Sequence, residues 1–297
     1  MSTPPTEVPS RRKDERFKEI GAPCEWPELY RPGGYHPVHL GDTFSNGRYR
    51  VFRKLGDGSY ATVWLAVDNI KTQYVALKIM MAKKSSASAN VELTISNRLE
   101  AMAPDYPSSK HVMMSLDTFE HDGPNGKHRC FIYEPMGSTV TSMVEKLPWD
   151  PPRTFRSPSP HYPKWMAKRI LKHALTGLDF LHKNGIVHGD FQPGNLLFSI
   201  RGDLNSVDES KLQQNKANIT EPIERLDGQI DKWAPKYLVI SESLHQYADL
   251  TANLEIKISD FGAAFWVHDP PESTLSPVAL RAPELIFKEG FDSSIDI

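Results

Sequence analysis

Two short stretches of this chain carry residues that could do chemistry: IVHGDFQPGNLLF at 186–198 and ISDFG at 258–262. In the first, Asp190 follows His188 and stands five residues before Asn195; in the second, Asp260 comes directly after a predicted strand. A carboxylate that orients a hydroxyl, with an amide and a second carboxylate for Mg²⁺, is what phosphoryl transfer requires, because its catalysis is mostly positioning and charge neutralisation. Nearer the N-terminus, LGDGSYATVWLA sets Gly56 and Gly58 between two predicted strands, where a backbone without side chains can approach phosphates. Lys78 closes an otherwise apolar strand, and Glu92 follows on a predicted helix that can turn it toward the lysine. Taken singly, a glycine pair marks a hairpin, a lysine a strand edge, and Asp or Asn a turn or cap. Together and in this order they form a set.

Such a set needs elements to position it. Tyr49, Val51 and Leu55 alternate up to the glycine turn, and ATVWLAV and YVALKIM follow as β-branched or apolar runs, an antiparallel meander. Residues 88–101 suit an amphipathic helix through Val91, Ile95 and Leu99, and RCFIYE is a buried strand ended by Pro135 and Gly137. Beyond a proline-rich linker at 147–163 the period becomes helical. Met166, Ile170, Ala174, Leu178 and Leu181 fall on one stripe, backed by Leu171 and Leu175 and stopped by Gly185. KYLVISESL is expected to be ordered, and LEIKISDFG to be a strand entering a turn. Strands come first and helices second, joined at 134–137. The fold class is therefore α+β with two lobes, a layout that seats a ligand between them.

The bulk composition narrows the class further. With 39% hydrophobic and 24% charged residues in 297, the chain has the make-up of a soluble globular protein with length enough for a core. A net charge of −2 excludes a strong general attraction to nucleic acid. Two cysteines, Cys24 and Cys130, are too few for a disulfide framework and fit a reducing compartment, the cytoplasm or the nucleus. The N-terminus lacks the apolar segment of a signal peptide, and no apolar run has the length of a membrane helix. Residues 1–34 are rich in proline and charge and are expected to be a disordered tail, its Arg11, Arg12 and Lys13 a solvated charge run. Order is expected to begin near YHPVHLGDTF at 35–44. Residues from 200 to about 232 are polar and weakly patterned, which predicts a flexible insertion.

From Tyr49 to its last residue the chain resembles the protein kinase superfamily, whose motif set includes the glycine loop, the strand lysine, the catalytic-loop Asp and Asn, DFG and APE. GGYHPVHLGDTF is similar to the entry segment of the SR-protein kinases, and the 65 residues from Asn195 to Asp260 match that family's long spacer. Arg281 before APE fits the same group. The resemblance implies an antiparallel strand lobe with one helix at 35–136 and a mainly helical, incomplete lobe at 137–297. It assigns Gly56 and Gly58 to the loop over the phosphates of ATP. Lys78, braced by Glu92, would hold the α- and β-phosphates. The hinge would be Glu134 to Met136, with Tyr133 as gatekeeper, and Leu55, Val63, Ala76 and Leu197 would enclose adenine. Asp190 would be the catalytic base, with Asn195 and Asp260 as Mg²⁺ ligands. The implied substrate is a protein hydroxyl on serine or threonine, in an arginine/serine-rich segment, with no membrane or nucleic-acid partner and a monomeric enzyme when complete.

The chain also departs from that family. Gly189 replaces the arginine that grips a phosphorylated activation loop, so Ser273, Thr274 and Ser276 are expected to be ordinary hydroxyls with little effect on activity. Ala61 replaces the third loop glycine, which the SR-protein kinases also tolerate. Gln192 stands in place of a lysine that stabilises the transferring phosphoryl group, and a dipole for a charge costs a few kcal/mol of transition-state stabilisation. HGD followed by Pro-Gly-Asn also resembles aminoglycoside and choline phosphotransferases, which act without that lysine. This supplies a rival enzyme reading; a nucleotide-binding pseudokinase or inert fragment is the non-catalytic one. Finally, FDSSIDI resembles the start of the central helix of the helical lobe, with Asp296 at the anchoring aspartate. On that reading the lobe is cut short, Glu284 lacks its arginine, and the Met166–Leu181 stripe is left exposed.

Overall fold

A computed structural model describes residues 7–9, 14–85, 91–147, 160–272, 274, 276–287 and 290–297. Arg11 to Lys13, Ser273, the start of the 88–101 helix and most of the proline-rich linker lie outside the described residues. In chain order the first strands are β1 (Thr43–Phe44), β2 (Tyr49–Asp57), β3 (Ala61–Asp68) and β4 (Gln73–Met80). Helices α1 (Ala82–Ser85) and α2 (Val91–Met102) precede β5 (Asp117–Gly123) and β6 (Gly126–Tyr133). Next come α3 (Val140–Val144), α4 (Lys164–Lys183), β7 (Ile186–Val187) and β8 (Leu196–Phe198). The remainder are α5 (Glu209–Leu212), β9 (Ile219–Pro222), β10 (Tyr237–Val239), β11 (Ile256–Ile258), β12 (Phe265–Trp266) and α6 (Pro283–Phe287). Two compact units result, one of residues 1–90, 115–135 and 203–243, the other of 91–114, 136–202 and 244–297. No helix among the described residues is long and apolar enough to cross a membrane.

The first unit is built on a six-stranded antiparallel sheet in the order β1-β2-β3-β4-β6-β5. Its strands alternate as a half-covered sheet must. Trp64 faces Leu77, Ala66 faces Val75 and Ile79 faces Cys130, all in one buried cluster with Val38, Phe44 and Val239. The intervening positions Val63, Ala76 and Lys78 belong to the other face. β5 has no counterpart among the expected strands because EHD and its glycine turn mask the alternation.

Two expectations about this unit are corrected. Residues 14–34 are folded. Phe17 and Tyr30 are buried, and Arg16 donates to Glu28 Oε2 at 2.8 Å, Asp231 Oδ2 at 3.0 Å and the Tyr30 carbonyl at 2.9 Å. Residues 203–243 are likewise hydrogen-bonded structure belonging to the sheet unit. β1 pairs only with the start of β2, so the edge of β2 from Phe52 onward is open. The insertion closes it: Gln214 N–H donates to the Phe52 carbonyl, Lys54 N–H to Gln214 Oε1, and Glu242 N–H to the Lys54 carbonyl. Arg53, 2% exposed, donates to the carbonyls of Leu212, Glu242 and Ser243. The two segments also pair with each other, Leu226 N–H donating to the Arg16 carbonyl and Lys18 N–H to that of Glu224. Their polar composition hid this because the partners are backbone groups and charged side chains, which leave no hydrophobic period.

The second unit is centred on α4. Met166, Ile170, Ala174, Leu178 and Leu181 are all buried, packed with α2, α3, β7, β8 and β11 residues. The stripe is therefore covered by the unit's own core, against the expectation of exposure. What lies open is Leu171 and Leu175, at 61% and 54% exposure. At 100° per residue they sit on the flank of the stripe. Gly185, at φ +73°, ends the helix as expected. Of the three apolar positions expected on α2, Ile95 and Leu99 are buried, whereas Val91, its first residue, is exposed.

One cluster in the first unit sets its pH response. The rings of His36 and His121 lie 4.6 Å apart and those of His36 and His128 5.0 Å apart, beside Phe44. Burial, reinforced by repulsion from His128, His121 and His39, pushes the His36 pKa down to about 2. Burial also lowers His121 and His128, opposed by Asp122 and, at His121, Asp42. An unfolded imidazole titrates near 6.5, so between that pH and the folded values only the unfolded chain takes up protons. Stability is then full above about pH 6.5 and falls on acidification, by up to ~1.4 kcal/mol per pH unit for each such histidine. Urea midpoints measured from pH 7.5 to 5 are expected to drop, and His36→Phe to flatten that drop. A pH-independent midpoint would contradict neutral burial of the cluster.

Candidate active site

The loop between β7 and β8 is held by a single buried carboxylate. Asp296, 3% exposed, accepts from His188 N–H at 2.8 Å, Gly189 N–H at 2.9 Å and His182 Nε2 at 2.9 Å. From the opposite side Ser276 Oγ donates to the Gly189 carbonyl at 2.6 Å, and Arg281 Nε to the Ser276 carbonyl at 3.0 Å. Ser276 is thus a buried loop hydroxyl with a structural partner. Gly189 itself has φ +75°, and a Cβ there would lie 2.4 Å from the Ala263 carbonyl oxygen. The glycine that looked like a lost arginine is one that the backbone demands. His188 is fully buried. Its Nδ1 accepts from Asp190 N–H at 3.3 Å, which leaves Nε2 as the protonated nitrogen, 3.0 Å from the Ser259 carbonyl.

This frame presents Asp190 with both carboxylate oxygens occupied by amides. Gln192 Nε2 donates to Oδ1 at 2.8 Å, and Asn195 Nδ2 donates to Oδ2 at 3.0 Å and to the Asp190 carbonyl at 2.8 Å. Gln192 is therefore aimed at Asp190, which only the folded arrangement reveals. Asn195 and Asp260 are 65 residues apart in sequence, yet β8 and β11 pair with Leu196 facing Ile258 and Leu197 facing Lys257. Ser259 tightens the junction, its N–H and Oγ donating to the Asn195 carbonyl at 2.9 and 3.0 Å. Directly after it, Asp260 takes φ 66°, ψ 81°, a left-handed conformation rare outside glycine, and its side chain accepts from Gly262 N–H. Glu92 is buried on α2, Leu197 is half-buried, and Met136 is buried beside Gly137, whose N–H donates to the Phe198 carbonyl. Glu284 is hydrogen-bonded by Ser294 Oγ. So this unit unites Asp190, Gln192 and Asn195 and brings Asp260 alongside by strand pairing.

The sheet unit carries the other named residues in register. Gly56 faces Val63 on β3, Val63 faces Lys78 on β4, and Lys78 faces Phe131 on β6. Ala76, two residues from Lys78 and on the same face, lies opposite Tyr133, at the end of the strand leading to Glu134. Lys78 and Ala76 are buried, Leu55 and Glu134 half-buried. Gly56 and Gly58 have no positive φ, and a Cβ on either would meet nothing within 4 Å. Neither packing nor backbone strain requires a glycine there, which leaves room for a ligand to approach the chain. Among the described residues no group of three His, Cys, Asp or Glu side chains is arranged to hold a metal unaided. Asn195 and Asp260, at adjoining ends of β8 and β11, are the residues that could hold a Mg²⁺, which takes one or two carboxylates and fills its shell from phosphates and water.

Comparison with known proteins gives a consistent picture. The protein kinase domain family matches residues 49–215. The chain is 32% identical over 92% of its length to a serine/threonine-protein kinase SRPK from Physarum polycephalum, spanning 63% of that relative. It is 35% identical over 59% of its length to protein kinase dsk1 from Schizosaccharomyces pombe, spanning 31% of it. SRSF protein kinase 3 from Homo sapiens is 36% identical over 59% of this chain, which spans 30% of that protein. The chain thus covers less than two thirds of these relatives. A crystal structure of a kinase domain superimposes with a TM-score of 0.57 at 22% identity, over 88% of this chain and 64% of the other. That likeness establishes the two-lobed α+β kinase fold.

Restoring the missing arginine should damage the loop. Gly189→Arg places a Cβ against the Ala263 carbonyl and forces a side chain into a left-handed backbone position. A loss of about 1–3 kcal/mol is expected, as for other residues held in that region. Chemical denaturation of the variant measures it, and stability equal to the parent protein's would show that the loop adapts freely.

Proposed function

This chain belongs to the protein kinase family, and from that premise we propose that it is an ATP- and Mg²⁺-dependent serine/threonine kinase of the SR-protein type. The observation that supports it best is the Asp190 carboxylate, fixed by Gln192 and Asn195 in the unit where strand pairing sets Asp260 beside Asn195. Bound ATP supplies the transferable phosphoryl group, and Mg²⁺ neutralises its charge. Asp190 orients the incoming hydroxyl and takes its proton; the two amide donors keep the carboxylate aimed. By the kinase resemblance Asn195 and Asp260 would hold the metal, and Lys78 would hold the α- and β-phosphates. Gly56 and Gly58 would let the loop backbone close on the phosphates, and the sheet unit's Leu55, Val63 and Ala76 would line the adenine site. The names of the relatives in Physarum and in humans point to a protein substrate, and the Tyr-His-Pro-Val entry extends that to arginine/serine-rich segments.

Gln192 is the departure with the most to say about mechanism. Its amide already donates to Asp190, so a lysine at the same place can keep that bond and add a positive charge near the transferring group. With an arginine–serine peptide as acceptor, Gln192→Lys is expected to raise turnover about tenfold, part of the few kcal/mol assigned to one preorganised donor. A fall in turnover, with choline or an aminoglycoside accepting phosphate in the same assay, would move the protein to the small-molecule phosphotransferases. In thermal melts, Lys78→Met and Asp260→Ala should remove the stabilisation given by Mg²⁺–ATP. Asp190→Asn should retain that stabilisation while phosphorylation falls by about 10²-fold or more, the contribution of a positioned general base. Unchanged melting shifts in both binding variants would sink the assignment.

A further inference from the structure

The glycine turn between β2 and β3 is anchored at Asp57, Gly58 and Tyr60 by residues from outside its own hairpin or from its base. Tyr35 OH donates to the Gly58 carbonyl. Asp57 accepts from Ser241 Oγ at 2.8 Å and pairs with Lys54 Nζ at 3.0 Å. The Tyr60 carbonyl accepts from Met81 N–H at 2.8 Å, and Lys84 Nζ stands 4.3 Å from the Tyr60 ring centroid. Lys54 is fully buried, and its ammonium is completed by Glu25, 6% exposed, which also accepts from Tyr30 OH. Burying an ammonium is tolerable only when it is paired and hydrogen-bonded. Lys54 thus ties Asp57 to the N-terminal segment, and Ser241 ties it to the insertion.

We propose that residues 25–35 and 241–242 act as positioning elements for the glycine turn, with Tyr35 as the principal brace on the backbone of Gly58. The inference rests on the kinase reading for what the turn would cover, but the brace itself is a property of the sheet unit. The physical case is conformational. A turn with Gly56 and Gly58, neither packed at Cβ, has more backbone freedom than any other hairpin residue pair would give it. Holding it ready for phosphates takes outside contacts, since ordering it on binding would weaken affinity. Tyr35 can supply such a contact because its ring is buried in a cluster with Tyr30, Met81 and Leu238, so the hydroxyl has little freedom. Burial, together with the charges of Asp57 and Glu25, raises its pKa, so the phenol stays a protonated donor. Ser59, at the tip, remains exposed.

Hydrogen exchange on the full chain tests the brace without any need for activity. Tyr35→Phe keeps the ring and removes only the donor, and Ser241→Ala removes the second tie without disturbing the buried Lys54. Exchange in the peptide spanning residues 55–62 is expected to rise about tenfold in Tyr35→Phe, the size of one lost hydrogen bond, and less in Ser241→Ala. Exchange across β3 beyond Thr62, β4 and α4 should be unchanged. Titration with a non-hydrolysable Mg²⁺–ATP analogue should show a correspondingly weaker Kd in Tyr35→Phe. Unaltered exchange at 55–62 in both variants overturns the proposal whatever the analogue does. A looser turn in a protein that never binds the analogue supports the brace and fails the kinase reading instead.

Discussion

The hydrogen bonds from the His188 and Gly189 amides to the Asp296 carboxylate are the constraint on which the candidate centre depends. A buried carboxylate is costly unless several donors satisfy it, and here two backbone N–H groups and an imidazole do so. Because the donors are backbone, the bonds fix the path of the loop. Gly189 is thereby held left-handed, with its carbonyl turned to Ser276 and no room for a Cβ beside the Ala263 carbonyl. From that fixed point Asp190 emerges already oriented, and the Gln192 and Asn195 amides complete the arrangement on its two oxygens. The absent arginine is then a steric consequence, since no side chain fits where the backbone comes this close.

Strand pairing supplies the next constraint. A short antiparallel ladder between β8 and β11 makes the distance along the chain from Asn195 to Asp260 irrelevant to their distance in space. The residues between them are free to vary in length provided the ladder survives. In this protein they have been put to use: residues 203–243 return to the sheet unit and close the open edge of β2. An exposed sheet edge invites aberrant pairing. Covering it with Gln214 and Glu242 removes that hazard and places Ser241 beside Asp57.

Charged residues in the sheet unit follow the same logic. Arg53 and Lys54 are adjacent, on a strand, and both buried, an arrangement that a single element cannot support. Each is resolved by a segment remote in sequence. Arg53 is satisfied by carbonyls of the insertion and Lys54 by Glu25 of the N-terminal segment. Removing either segment would strand a buried cation, so the two segments behave as parts of the unit. The histidine cluster at His36 is a further product of this packing, neutral because it is buried.

The sequence alone determined the order and type of the main elements. It also determined the family, because those depend on local periodicity and on motifs of adjacent residues. The β2–β4 meander, the α4 stripe and its end at Gly185, and the spacing of Asp190 and Asn195 all rest on residues that follow one another along the chain. Tertiary structure alone decided the rest. Gly189 and Asp296 are 107 positions apart, and Arg53 and Glu242 are 189. A polar residue in sequence looks solvated until its distant partner is known, which is why residues 14–34 and 203–232 read as unstructured and Gln192 read as a weakened lysine. Hydrophobic residues announce their burial by repeating along an element. Buried polar residues do so only through their partners, and those partners come together only when the chain has folded.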